Sequence, residues 1–231
     1  MEAIVLAGGR GTRLASVIEG IPKVLALVGE RPFLELLLQR LRQKGMQRVI
    51  LSVGYMAGSI RERFGDEFDG LELVYSAEEE PLGTGGATMK ALKMALADSV
   101  LVMNGDTFVE LEYAEMLGRH VEAGVSASIA VAQVPDCTRF GRVMIEQDRV
   151  AGYTEKGYAG SGLISVGTYV MNRDVFVPYD LPNVFSLETD FFVPYIKELR
   201  PVAFVTSGYF IDIGIPEDLA RAQIELQMGR L

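Results

Sequence analysis

A single cysteine, Cys137, in 231 residues rules out an intrachain disulfide and makes a reducing, cytoplasmic compartment the default. No His or metal partner stands in its motif, so Cys137 reads as an ordinary thiol. The only histidine, His120, falls in a predicted helix and reads as structural. Positive charge is also short: Lys and Arg total 22 against 31 Asp and Glu, a formal net charge of −9. A nucleic-acid partner, which needs a basic footprint, is therefore not expected. No apolar stretch reaches the ~18 residues that a membrane span requires. The opening MEAIVLAGG lacks the basic n-region of a signal peptide and reads as a buried strand. There is no fixed-period repeat, no low-complexity segment, and no Pro/Gly/Ser linker that would divide the chain into separate domains.

Apolar residues are plentiful, at 49% of the chain, enough for a substantial core. Short, wholly apolar runs at Ala3–Leu6, Val49–Val53, Leu71–Tyr75 and Val100–Met103 suit strands covered on both faces. Helical patterns lie between them: one with Pro32 in its first turn, Leu34, Leu37, Leu38 and Leu41 at helical spacing, and Gly45 at its end; another over Met56–Phe64; a third over Gly85–Leu96. This alternation over residues 1–105 predicts an α/β fold with a parallel, doubly wound sheet. In the second half, strands are predicted at Ala127–Val131, Arg142–Glu146, Val150–Thr154 and Ser165–Met171. Helices are predicted near Glu188–Leu199 and Pro216–Gln227. The expectation is one domain over 1–231, with a first half (1–110) merging into a second half (111–231) across one cleft.

An acidic protein that binds phosphates must gather backbone amides, local cations or a metal at the site. The first strand runs into Leu6-Ala7-Gly8-Gly9-Arg10-Gly11-Thr12-Arg13-Leu14. Glycines let amide groups approach phosphate oxygens with no Cβ in the way. A P-loop would need Lys after its last glycine, and none follows. The dinucleotide fingerprint would need glycine where Leu14 stands and an acid ending the second strand, which instead ends Val53-Gly54. A tight turn alone explains a glycine or two, but not two arginines interleaved with three glycines.

The stretch continues as LAGGRGTRL, seven residues, PKVL, six residues, PFLE. This resembles the N-terminal signature of the sugar-1-phosphate nucleotidyltransferases. The resemblance implies a Rossmann-like nucleotidyltransferase fold: a mostly parallel central sheet flanked by helices, with a smaller sugar-binding β element. It also implies that Arg13 and Lys23 are catalytic, binding the triphosphate and stabilising charge during transfer. Leu6, Ala7, Gly8, Gly9, Gly11 and Thr12 would line the nucleotide.

Asn104-Gly105-Asp106-Thr107 follows an apolar strand, at the end where open α/β sheets bind ligands. Asp212 interrupts the apolar Tyr209-Phe210-Ile211-Asp212-Ile213. A buried carboxylate is costly unless paired or metal-bound, and two carboxylates with phosphate oxygens and waters make an ordinary Mg²⁺ site. The resemblance assigns Asp106 and Asp212 that role. The alternatives are an Asx turn for Asp106 and an ion pair for Asp212. Glu217 and Asp218 follow Pro216 in the first turn of a helix and read as dipole and capping chemistry.

Glu78-Glu79-Glu80-Pro81-Leu82-Gly83-Thr84-Gly85-Gly86 resembles the family's base-binding loop. Guanine offers two adjacent donors that one carboxylate can accept. Three acids and no glutamine therefore favour GTP, with Glu78 or Glu80 as reader and Pro81, Gly83 and Thr84 beside the base. Glu79 reads as solvated. On the sugar side the resemblance implies that Lys156 holds the phosphate and Glu155 accepts sugar hydroxyls. Asn104, the backbone at Gly141, and Ser165, which stands where the family commonly has Asn, are the further sugar-phosphate contacts.

The expected reaction is in-line attack of a sugar phosphate oxygen on the α-phosphorus of a nucleoside triphosphate, with Mg²⁺ as cofactor and pyrophosphate leaving. PLGTGG and YFIDIGIPEDLARAQ look most like bacterial D-glycero-α-D-manno-heptose 1-phosphate guanylyltransferases. Mannose-1-phosphate guanylyltransferases are the near alternative; MurNAc-1-phosphate uridylyltransferases and glucose-1-phosphate thymidylyltransferases are further off. No C-terminal β-helix is expected. A catalytically silent sugar-nucleotide-binding subunit would lose Arg13, Lys23 or an acid, and none is lost. The expected partners are the nucleoside triphosphate and the sugar 1-phosphate, with no nucleic acid and no membrane; a homo-oligomer is compatible with the sequence.

Overall fold

The computed structural model describes residues 1–226 except Arg10, Ala15, Ser16, Glu19, Glu155, Lys156 and Tyr158, with Thr12 described in its backbone only. The strands are β1 (Glu2–Leu6), β2 (Leu27–Val28), β3 (Arg31–Pro32), β4 (Arg48–Val53), β5 (Glu67–Phe68), β6 (Leu71–Ala77), β7 (Ser99–Asn104), β8 (Thr107–Val109), β9 (Ala127–Val134), β10 (Val143–Glu146), β11 (Arg149–Tyr153), β12 (Gly162–Asn172), β13 (Val202–Thr206) and β14 (Phe210–Asp212). The α-helices are α1 (Phe33–Gln43), α2 (Ala57–Phe64), α3 (Gly83–Leu92), α4 (Tyr113–Ala123), α5 (Val193–Leu199) and α6 (Pro216–Glu225).

Ten strands form the central sheet in the order β10-β11-β13-β9-β12-β7-β1-β4-β6-β5. Strands β1, β4, β6, β7, β9, β13 and β10 run one way and β5, β12 and β11 the other. Alternate residues of the apolar strands explain why both faces need cover. Val5, Leu51 and Met103 pack with Leu34, Leu37, Leu38 and Leu41 of α1, and with residues of α2, α4 and α6. Ile4, Ile50 and Val102 face the opposite way, onto Ala91 and Leu92 of α3 and Ile196 of α5.

Strands β1, β4 and β6 step outward in one direction, and β7 then returns to the other side of β1. The reversal opens a crevice outside the carboxyl ends of β1 and β7, where such folds hold ligands. A separate two-stranded sheet of β8 and β14 stands next to it, with Asp212 opposite Thr107.

The helix predicted from Glu188 begins differently. Leu187–Phe192 is a six-residue π-helical turn, and only then does α5 start, with Pro194 in its first turn. Pro194 has no amide hydrogen to continue an α-helical ladder, and the wider turn takes up the mismatch. Among the described residues, no helix is long and apolar enough to cross a membrane.

Candidate active site

A cleft of about 460 Å³ lies at the crevice. Its walls include Leu6, Ala7, Gly8 and Gly9 after β1, Gly54 and Tyr55 after β4, and Glu78, Glu79, Glu80, Pro81, Gly83 and Thr84 between β6 and α3. Lys23, Val24, Ala87, Asn104 and Asp106 complete the described lining. Among the described lining residues Lys23 is the only cation, set against four carboxylates.

Lys23 is 7% exposed. Its ammonium pairs with Asp106 and stands 3.9 Å from Asp212 Oδ1. The backbone fixes this arrangement. The Gly105 amide donates to the Leu6 carbonyl at 2.9 Å, tying the end of β7 to β1. The Ile213 amide donates to the Asp106 carbonyl at 2.9 Å, bringing the end of β14 beside it. The Gly214 amide donates to Asp212 Oδ1 at 2.7 Å. Burial, and then the Asp106 charge, push Asp212 above the usual carboxylate range, while Lys23, the Gly214 amide and Arg13 pull the other way. Arg13, exposed on the 3₁₀ turn Thr12–Leu14, thus lends its charge to the pair without lining the cleft. Among the described residues no three His, Cys, Asp or Glu side chains cluster as a metal cage.

Gly11 has φ +62°, and a Cβ there would meet the Lys23 Cβ at 2.9 Å. The first loop therefore lies directly on the lysine. A Cβ at Gly85 or Gly86 would run into the Phe185 ring or the Asn183 carbonyl. These two glycines seat α3 on the segment before the π-helical turn.

Glu78 accepts from the Leu82 amide at 3.0 Å through one carboxylate oxygen and from Ser52 Oγ at 3.3 Å through the other. It braces the loop, which leaves Glu80, exposed at the rim, with the freer carboxylate. Glu79 also borders the cleft and is exposed, in keeping with its reading as a solvated residue. Tyr55, 40% exposed on the wall, was missed by the sequence reading. Its signal was an aromatic directly after the Val53-Gly54 strand end.

The remaining expected residues fall around this core. Gly141 and Ser165 are outside the cleft lining, on the β10–β12 side, and Glu155 and Lys156 lie outside the described residues, as does the Thr12 side chain. Asp218 makes no helix cap. It is 7% exposed and accepts from Arg139 at 2.5 Å and Arg221 at 3.0 Å, strapping the loop before Gly141 to α6.

Residues 2–228 match the family model described as nucleotidyl transferase. The chain belongs to the nucleotidyl transferase family. Within that family it is 39% identical to the D-glycero-α-D-manno-heptose 1-phosphate guanylyltransferase of Aneurinibacillus thermoaerophilus over 98% of this chain and 99% of that one. To the enzyme of the same name from Campylobacter jejuni it is 41% identical, over 94% and 96% of the two chains. The crystal structure of HddC from Yersinia pseudotuberculosis complexed with GMP-PN superimposes with a TM-score of 0.84 at 38% identity, covering 96% of this chain and 97% of that one. The fold and membership expected from the glycine-rich signature are thereby shown.

Proposed function

We propose that this nucleotidyltransferase condenses GTP with D-glycero-α-D-manno-heptose 1-phosphate, releasing pyrophosphate, and that it does so in the cytoplasm as one nucleotidyltransferase domain. The observation that carries the chemistry is Lys23 held between Asp106 and Asp212 at the switch point of the sheet. Two near-full-length relatives bear the heptose guanylyltransferase name, and the Yersinia protein was crystallised with a guanine nucleotide analogue, which supports this pair of substrates.

Leu6, Ala7, Gly8, Gly9, Gly11 and Thr12 cradle the triphosphate, with Arg13 and Lys23 stabilising the charge that spreads over its oxygens in the transition state. Glu80 reads the guanine N1–H and amino donors, while Glu78 holds Pro81, Gly83 and Thr84 in place for it. Asn104, Gly141, Glu155, Lys156 and Ser165 form the sugar side. A phosphate oxygen of the sugar attacks the α-phosphorus in line. The new P–O bond forms as the bond to the bridging oxygen breaks, and pyrophosphate carries the electron pair away. A phosphate dianion is already a nucleophile, so no general base is required.

Among the described lining residues the cleft carries more negative than positive side chains, and a triphosphate entering it needs a counter-cation. Asp106 and Asp212, with phosphate oxygens and water, suit Mg²⁺, which when bound neutralises phosphate charge and orients the triphosphate.

A pyrophosphate-release screen tests this reading by crossing GTP, UTP, dTTP, ATP and CTP with heptose, mannose, glucose and MurNAc 1-phosphates. GTP with heptose 1-phosphate is expected to turn over best. A preference for UTP or dTTP would remove the carboxylate reading of the base.

A further inference from the structure

Beyond the expected sugar contacts, a line of hydrogen bonds runs toward one carboxylate. The Gly167 amide donates to Ser165 Oγ at 3.4 Å, Ser165 Oγ donates to the Tyr169 hydroxyl at 3.3 Å, and Tyr169 donates to Glu188 Oε1 at 3.1 Å. Each donor polarises the next, so the line strengthens and fixes its last acceptor. Tyr169 is buried and stacks on Phe192, and so holds its hydroxyl in place.

The line sits beside the cleft. Gly167, at φ +66°, packs so closely on Asn104 that a Cβ would strike its amide, and Asn104 is a wall residue of the cleft. From the other side, the Leu187 amide donates to Thr84 Oγ1 at 2.9 Å, which ties the π-helical turn bearing Glu188 to the base loop. π-helical turns of this kind recur at functional sites.

Glu188 is half-buried, and no basic side chain among the described residues pairs with it. Near it the Tyr153 hydroxyl is buried with no hydrogen-bond partner among the described residues. Burial and then the Glu188 charge both oppose ionisation of that phenol. A half-buried carboxylate and an unpartnered hydroxyl together are costly in a bare protein and suited to a ligand rich in hydroxyl groups.

We infer that Glu188 is a specificity-determining residue on the sugar side, its carboxylate accepting hydroxyl hydrogens of the sugar 1-phosphate, with Tyr169 and Ser165 as its positioning residues. This rests on the proposed function and names the residue by which that site recognises its polyol. Glu188 takes no part in phosphoryl transfer itself, so its loss should act on sugar binding and not on the nucleotide.

The test is steady-state kinetics with GTP, Mg²⁺ and D-glycero-α-D-manno-heptose 1-phosphate on Glu188→Ala, Glu188→Gln and Tyr169→Phe, with thermal melting to confirm folding. Glu188→Ala is expected to raise the KM for the sugar phosphate about tenfold to a hundredfold, the loss of hydrogen bonds to a charged group, with the KM for GTP unchanged. Glu188→Gln, which keeps one acceptor, should recover some of this. Tyr169→Phe should shift the same constant by less. Should Glu188→Ala not fold, the other two variants carry the test. An unchanged sugar KM in the folded variants, or equal rises in both KM values, would overturn the inference. Wild-type protein inert toward every sugar 1-phosphate would instead bring down the proposed function and this inference with it.

Discussion

Asp212 lies across Lys23 from Asp106, and its charge is opposed by burial and by that neighbour. An arrangement that is unfavourable for the bare chain is the kind that serves binding of a cation or a phosphate. Asp212→Asn keeps the acceptor for the Gly214 amide and removes the charge. In metal-free buffer the variant is expected to melt no lower than wild type, while turnover with Mg²⁺ falls about a hundredfold or more, as for other losses of transition-state electrostatics. Near-normal turnover would take Asp212 out of the metal role. Gly11 makes a second test at this scale. Its φ of +62° and the 2.9 Å gap to Lys23 leave no room for a Cβ, so Gly11→Ala should cost about 1–2 kcal/mol in urea unfolding and displace Lys23 enough to slow turnover. The first-loop residues, Lys23 and the two aspartates were legible in the sequence because they sit in short, consecutive signatures. Glu188 was not, since its place depends on contact with Ser165 and Tyr169, which only the folding of β12 against the π-helical turn creates.

Among the elements, α6 reaches furthest from its own neighbours in sequence. Through Asp218 it grips Arg139, whose guanidinium also lies 5.4 Å from the Phe140 ring, and Phe140 in turn packs edge-on to Phe210 of β14. The loop before Gly141 is thereby joined to the strand that ends in Asp212. Asp218→Ala leaves Arg139 and Arg221 without their buried acceptor. Because Arg139 keeps 41% of its side chain in solvent, the loss in urea unfolding should be about 1–2 kcal/mol, below that of a fully buried pair. Arg139→Ala, which leaves Asp218 its bond to Arg221, should cost less. The reverse ranking would mean that the strap is not what holds α6. Sequence placed Asp218 in dipole and capping chemistry, and it does lie in the first turn of α6; the arginine that arrives from a distant loop and takes its carboxylate is not visible there.

The whole molecule divides its polar chemistry between the two ends of one sheet. At the carboxyl ends of β1 and β7 lies the cleft; at the start of β7 lies a buried network around His120. The histidine ring bonds Ser128 Oγ and Asn172 Oδ1, each at 2.9 Å, and Ser99 Oγ donates to the same Asn172 oxygen at 2.9 Å. The parallel region of the sheet was readable because its strands are apolar on both faces and follow in order. Strand β13 was not, because it enters between β9 and β11 and takes its meaning from partners distant in sequence. His120 connects this architecture to pH. Burial lowers its pKa below the ordinary value of 6.5, with the Asn172 bond opposing that shift. The native state therefore keeps the ring neutral while the unfolded chain takes up a proton near the ordinary value, so stability is present above that value and is lost as pH falls through the folded pKa. Asp98, Arg173 and Asp174 line the same depression and do not supply a buried counter-charge in direct contact with the ring. Melting temperatures between neutral and mildly acidic pH should fall for wild type and fall less for His120→Gln. Turnover at neutral pH should be the same in both, because the network stands at the opposite end of the sheet from Lys23. Parallel melting curves would assign the acid sensitivity elsewhere, and a loss of turnover in His120→Gln would show that the two ends of the sheet are coupled.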